Sequence, residues 1–221
     1  MHGKRVAIFA GHYGSGKTNI AVNYALWLKA QGNDVLIADL DIVNPYFRTK
    51  DSLEELQAAN IEVISSPFAN SNVDVPGIPE AMYRICRDKR YHAVVDVGGD
   101  DQGAVALGRY TPELLEENSY DMFFVANAMR PLTREPEEAL EVMREIEAAG
   151  GIPFTGIINN ANLANYTDEA TVMAGVRYCE KLSEISGLPF VLTSVDETLY
   201  DELQGKIDNL FPLKLQKKYF L

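Results

Sequence analysis

Short apolar runs recur along the chain, and amphipathic stretches of helical period separate them. The runs are "RVAIFA" (5–10), "DVLIADL" (34–40), "EVISS" (62–66), "HAVVDVG" (92–98), "DMFFVANA" (121–128), "FTGIINN" (154–160) and "PFVLTS" (189–194). Several are apolar at consecutive positions, the pattern of strands covered on both faces. Helices are predicted from Lys17 to Gln31 with Gly32 as the stop, over 50–59, over 76–89 with Pro79 in its first turn, and over 197–206. Two longer ones run from Thr133, a possible N-cap, to a stop at Gly150, and from Thr167 to Ser186 before Gly187. The alternation predicts an α/β fold: one domain over 1–221, built on a doubly wound, mostly parallel sheet of about seven strands flanked by helices. Ligands of such sheets bind along the rim of strand C-terminal ends. "PFANSNVDVPGIP" (67–79) is the longest loop-like stretch and a candidate mobile element.

Composition narrows the function classes. With 221 residues, 47% of them hydrophobic, the chain can bury one substantial core. A formal net charge of −12 and a pI near 4.7 disfavour phosphate backbones, so no nucleic-acid partner is expected. The longest basic cluster is Lys214, Lys217 and Lys218. The two cysteines, Cys86 and Cys179, have no metal-ligand spacing and read as small buried residues. Neither a signal peptide nor a membrane-length apolar run is visible, and a cytoplasmic location is the expectation.

The candidate chemistry begins at "GHYGSGKT", residues 11–18, between the first apolar run and the first helix. Gly11-x4-Gly16-Lys17-Thr18 in that context is a phosphate-binding loop pattern. Main-chain N–H groups must converge on a polyphosphate, and glycine permits both the dihedrals and the close approach. The following helix adds its free amides and positive dipole end. Lys17 supplies a point charge for the β- and γ-phosphates, and the Thr18 hydroxyl a hard oxygen for Mg²⁺. Asp39 and Asp41 close one strand and Asp96 another, with Gly98 and Gly99 following. Singly, each aspartate has an ordinary reading as a strand-end cap; together, behind a phosphate loop, they imply nucleotide hydrolysis or phosphoryl transfer.

These residues resemble the MinD/ParA superfamily, the CobQ/CobB/MinD/ParA nucleotide-binding domain. The likeness is strongest over "GHYGSGKTNIAVNYALWLKAQGNDVLIADLDIVNP" (11–45). It implies a P-loop ATPase whose cofactors are ATP and Mg²⁺, with Gly11, His12, Tyr13, Gly14, Ser15, Gly16, Lys17, Thr18 and Asn19 holding the phosphates. Thr18, Asp39 and Asp96 would serve the metal, and Lys17 and Asp41 catalysis, Asp41 by positioning the attacking water. Residues Ile42 to Arg48 correspond to a first switch, Asp96 and Gly99 to a second, and Asn160, or Asn159 one position earlier, to an asparagine that reads the adenine edge. "TSVDE" (193–197) falls where the family wraps the base. The resemblance also implies a homodimer, which nucleotide can control, and a protein partner.

One departure stands out. Most members carry a second loop lysine that reaches across the dimer, and this chain has His12 there, followed by Tyr13. A neutral imidazole does not replace a fixed charge. Unaided turnover is therefore expected to be slow, with His12 either contacting nucleotide or partner, or simply solvated. The departure also brings the chain nearer to dethiobiotin synthetase and the cobyrinic acid amide synthetases, so an ATP-dependent ligase or amidotransferase-like synthetase acting on a small carboxylate is an alternative. A non-hydrolysing, nucleotide-gated binding module is another. The tail "NLFPLKLQKKYFL" (209–221) mixes apolar and basic residues. It admits reversible membrane association, but the alternation of Phe211, Leu213 and Leu215 favours an extended segment docked on the fold.

Overall fold

The computed structural model describes residues 3–41, 50–65, 80–99, 101–163 and 166–214. The expected mobile stretch 67–79, the proposed first switch at 42–48 and the tail beyond 214 lie outside the described residues. The strands are β1 (Val6–Ala10), β2 (Val35–Asp39), β3 (Glu62–Ser65), β4 (His92–Asp96), β5 (Tyr120–Ala126), β6 (Gly156–Asn159), β7 (Phe190–Asp196) and β8 (Leu210–Leu213). They form one sheet in the order β3-β2-β4-β1-β5-β6-β7-β8, and every pairing is parallel.

The helices are α1 (Lys17–Ala30), α2 (Lys50–Ala58), α3 (Arg84–Arg87), α4 (Asp101–Gly108), α5 (Thr111–Glu117), α6 (Pro136–Gly150), α7 (Glu169–Ser186) and α8 (Glu197–Leu203). Alternate side chains of β1 feed two cores. Val6, Ile8 and Ala10 pack with Leu107 of α4, Ala139 and Met143 of α6 and Cys179 and Leu182 of α7. Ala7 and Phe9 pack with Ile20, Ala21, Tyr24 and Ala25 of α1 and with Leu56 of α2. Burial on both faces accounts for the unbroken apolar runs. Cys86 and Cys179 are free and buried, as read from the sequence.

The sheet has eight strands instead of about seven. The additional one is β8, whose residues Thr193↔Leu210 to Asp196↔Leu213 pair in register with β7. Phe211 and Leu213 join the α1 core, and Pro212 sits exposed between them, so the docked reading holds for this part of the tail. A proline is tolerated because β8 is an edge strand. The expected helix over 76–89 is reduced, in its described part, to a 3-10 turn at Glu80–Tyr83 and the four residues of α3. Thr133 does not cap α6. It ends a 3-10 turn (Pro131–Thr133), and its hydroxyl donates to the Asn127 carbonyl at 3.3 Å. Pro136 at the first helical position holds Glu135 extended (φ −102°, ψ 144°), and Glu135 forms a capping box with Glu138. Helix α6 then runs through Gly150 and stops on left-handed Gly151.

Strand order fixes the site. From β4 the chain crosses β1 to reach β5. The connections after β1 and β5 therefore run to opposite sides of the sheet, and in such sheets ligands bind at that point of the C-terminal rim.

Candidate functional site

Residues 11–16 join the buried end of β1 to α1. Gly16 is the N-cap of α1, with φ +92°, and no side chain caps the helix. The first-turn amides consequently face the loop without a side-chain acceptor, and no acidic residue occupies that turn. A Cβ on Gly16 would lie 2.1 Å from Nδ2 of Asn160, so the position excludes any side chain.

Lys17 is buried, and its ammonium donates to the His12 carbonyl at 3.2 Å, curling back over the loop. Ser15 N donates to the same carbonyl at 3.1 Å. His12 is half-buried, with Nδ1 3.0 Å from the Tyr13 carbonyl oxygen, while the Tyr13 side chain is exposed. Ser15 is buried, and its hydroxyl oxygen has no hydrogen-bond partner among the described residues. Asn19 sits half-buried in the first turn of α1.

The acidic residues converge on this loop. Asp39 and Asp96 are register partners at the ends of β2 and β4, so their side chains share one edge of the rim. Both are buried. The Thr18 hydroxyl donates to Asp96 Oδ2 at 2.6 Å, and Asp96 Oδ1 is buried with no hydrogen-bond partner among the described residues. Burial pushes the Asp96 carboxyl up to about 6, against the opposing pull of Lys17 and the Thr18 hydrogen bond; the charge of Asp41 adds to the rise. Asp39 Oδ1 accepts from the Asp41 amide at 2.8 Å, which pins the start of the segment after β2. Gly99 closes the other side: a Cβ there would stand 2.7 Å from both N and Cα of Tyr13 and 3.0 Å from Lys17 Nζ.

This donor set suits Mg²⁺. A threonine hydroxyl and two buried carboxylates are hard oxygen ligands, and an unpartnered carboxylate oxygen inside a protein needs a cation or a donor to offset its desolvation. Among the described residues no cluster of three His, Cys, Asp or Glu forms a ready-made metal cage. That fits an ion held chiefly through its own waters and phosphate oxygens.

The two asparagines at the end of β6 part company. Asn160 faces the loop: Nδ2 donates to the Ser15 carbonyl at 2.6 Å, and Oδ1 accepts from Ser194 at 2.8 Å. Asn159 turns inward, its Oδ1 accepting from Ala161 N at 3.0 Å and its amide 3.4 Å from the Val172 carbonyl of α7. Of the two, Asn160 is the one at the site, where it props the loop and keeps one N–H and one lone pair for a further contact.

Ser194, in β7 and within the stretch 193–197 expected to wrap the base, braces Asn160 through its side chain. One site residue was not anticipated. Arg130 follows β5, and its Cζ and Nε lie 3.4 Å from where a Cβ on Gly14 would be. The signal for Arg130 was the "MRP" triplet just beyond a strand end, but 115 residues separate it from the loop, and only the sheet order brings them together.

Solved structures share this fold. FtsY from Thermotoga maritima superposes with a TM-score of 0.59 at 16% identity, over 87% of this chain and 62% of that one. The signal recognition particle receptor FtsY from Elizabethkingia anophelis, in complex with GDP, gives 0.54 at 14% identity, over 98% and 61%. A nucleotide-binding protein from Archaeoglobus fulgidus, in complex with ADP, gives 0.51 at 14%, over 90% and 84%. The chain spans about three fifths of the length of the FtsY chains, and at these identities the likeness concerns the fold. No curated protein sequence matches the chain. The model of the CobQ/CobB/MinD/ParA nucleotide binding domain matches residues 6–184, and the chain belongs to that family.

Proposed function

We propose that this protein binds Mg·ATP at the rim of β1, β2 and β4, hydrolyses it, and uses the presence of the γ-phosphate as a signal to a protein partner. The observation that carries the proposal is the Thr18–Asp96 hydrogen bond, with the orphaned Asp96 Oδ1 behind it, beside a helix N-terminus that no side chain caps. Loop amides and Lys17 neutralise the β- and γ-phosphates. Thr18, Asp39 and Asp96 would hold the hydrated metal, and Mg²⁺ when bound would supply positive charge beside the phosphates. Asp41, tethered by its amide to Asp39, orients the attacking water. Gly99, backed against Tyr13 and Lys17, senses the terminal phosphate through its main chain. Asn160 and the main chain near Ser194 take the adenine edge.

The rim also favours a homodimer. Tyr13, Val105, Leu132, Leu163 and Tyr166 are between 43% and 85% exposed, and all five lie in the segments that follow β1, β4, β5 and β6. Exposed apolar side chains on these connections are surface that another subunit would cover. Among the described residues no helix is long and apolar enough to cross a membrane.

Calorimetric titration with Mg·ATP, Mg·GTP and Mg·ADP tests the reading, together with phosphate release. The wild-type chain is expected to bind ATP in preference to GTP. Lys17→Ala is expected to lose at least about 100-fold in affinity, and Asp41→Asn to bind but turn over at least about 100-fold more slowly. Unchanged ATP affinity in Lys17→Ala would refute the site. Phosphate release dependent on an added carboxylic acid would replace the switch by a ligase.

A further inference from the structure

The loop carries a single fixed positive charge. Between residues 11 and 28 the only lysine or arginine is Lys17, and a triphosphate with its developing transition-state charge asks for more than one. Arg130 stands directly against the same loop, its Cζ 3.4 Å and Nη1 3.7 Å from the Cβ position of Gly14. The side chain is exposed, and among the described residues its guanidinium makes no hydrogen bond or ion pair.

Its backbone, in contrast, is fixed from several directions. Pro131 restricts it to extended dihedrals, φ −98° and ψ 137°. Arg130 N donates to the Asn127 carbonyl at 3.1 Å, and Thr133 N donates to the Arg130 carbonyl at 3.2 Å. Buried Asn127 accepts from Met129 N at 3.0 Å, and Tyr178 of α7 donates to the Thr133 carbonyl at 2.8 Å. A rigid turn thus presents a permanently charged guanidinium over a phosphate loop, an arrangement that costs entropy and is offset by no hydrogen bond or ion pair among the described residues.

We propose that Arg130 is a second phosphate-binding and catalytic cation, acting within its own chain on the triphosphate held by residues 11–18. The proposal rests on the nucleotide-binding reading above and deepens it: hydrolysis would not need a cation from a partner subunit. As the water oxygen bonds to the γ-phosphorus, the bond from that phosphorus to the β–γ bridging oxygen breaks, the electron pair stays on ADP, and the water proton leaves with phosphate or to solvent. Arg130 pairs with the oxygens on which that charge accumulates.

The test compares wild type, Arg130→Ala and Arg130→Lys in affinity for a non-hydrolysable ATP analogue, affinity for ADP, and single-turnover phosphate release, with thermal melts as the check on folding. Arg130→Ala is expected to melt like wild type, lose about tenfold in analogue affinity with ADP affinity within about twofold, and release phosphate about 100-fold more slowly. Arg130→Lys should recover part of the loss, since it restores charge without the planar fork. Arg130→Ala indistinguishable from wild type in analogue affinity and phosphate release would overturn the role of Arg130 while leaving the loop assignment intact. A wild-type chain that binds neither nucleotide would overturn both.

Discussion

The two ends of the sheet handle polar groups in opposite ways. At the end where the strands begin, charges are matched. Arg5 donates through Nε and Nη2 to both oxygens of Glu117, each at 2.6 Å, and to the carbonyls of Tyr91 and Ile85. Lys89 adds a second cation to Glu117, and Arg84 pairs with Glu62, Arg90 with Asp88 and Arg87 with Glu113. At the end where the strands stop, one hydroxyl and one carboxylate oxygen are buried with no hydrogen-bond partner among the described residues. Among the described residues three buried polar side-chain atoms lack a hydrogen-bond partner: Ser15 Oγ and Asp96 Oδ1 are at the loop, and the third is the hydroxyl of Tyr110, whose ring packs edge-on against Tyr83 in the core. A folded chain ordinarily satisfies its buried polar groups, so one rim serves stability and the other holds interactions in reserve for something that binds.

The largest effect should come from filling the space that the loop keeps open. Gly16→Ala places a Cβ on Asn160 Nδ2 at a residue whose φ is +92°. Backbone strain of about 1–3 kcal/mol adds to the displacement of a buried amide. ATP affinity is expected to fall by more than about 100-fold, or about 3 kcal/mol, while circular dichroism stays that of the wild-type fold. An alanine variant that titrated ATP like wild type would mean that the loop does not receive phosphate.

That glycine was legible in the sequence for a physical reason. A phosphate loop is a local device: residues 11–18, the strand before and the helix after are contiguous, and each needs a distinctive residue type. The same holds for several strands, such as β1, β2 and β5, whose double-sided burial writes itself as consecutive apolar positions. What escaped was non-local or weakly patterned. Strand β8 contains a proline and only four residues. Helix α4 begins at Asp101 and carries Gly103 and Gly108, so propensity argues against it. Gly103 is there because a Cβ would come within 2.6 Å of Gly98 N. Arg130 reaches the site only through the sheet order, which periodicity does not encode.

An intermediate effect belongs to the opposite rim. Glu117→Gln removes the charge from a carboxylate that is mostly buried and gripped by Arg5 and Lys89, and should cost about 2 kcal/mol of stability at pH 7 with nucleotide affinity unchanged. The hydrogen bonds from Arg5, supported by Lys89, hold the Glu117 carboxyl below its ordinary value of 4.5, against its desolvation. A lowered carboxylate pKa contributes stability that is fully present above the unfolded value and disappears as pH falls through the folded one. The difference between wild type and variant should therefore be constant from neutral pH down to about 4.5 and shrink below it. Denaturant melts at pH 7, 4.5 and 3 give the comparison. A gap that persisted at pH 3 would assign the effect to packing, and a loss of ATP binding would erase the division of labour between the rims.

The smallest effect tests the seam between stability and binding. Ser194 is buried in β7, its Oγ 2.8 Å from Asn160 Oδ1 and 3.0 Å from the Asn159 carbonyl oxygen. Asn160 in turn holds the Ser15 carbonyl from behind the loop. Ser194→Ala leaves a buried amide oxygen without its donor, a cost of about 1 kcal/mol. If Asn160 is only a core residue, that cost appears in the unfolding free energy and nowhere else. If it braces the phosphate loop, part of it appears as a loss of up to about fivefold in ATP affinity, since 1 kcal/mol corresponds to about that ratio. Measuring both quantities on one variant separates the two. A stability loss with ATP affinity held within the error of the titration would return Asn160 and Ser194 to the interior and leave the loop supported by its own glycines and the helix beneath it.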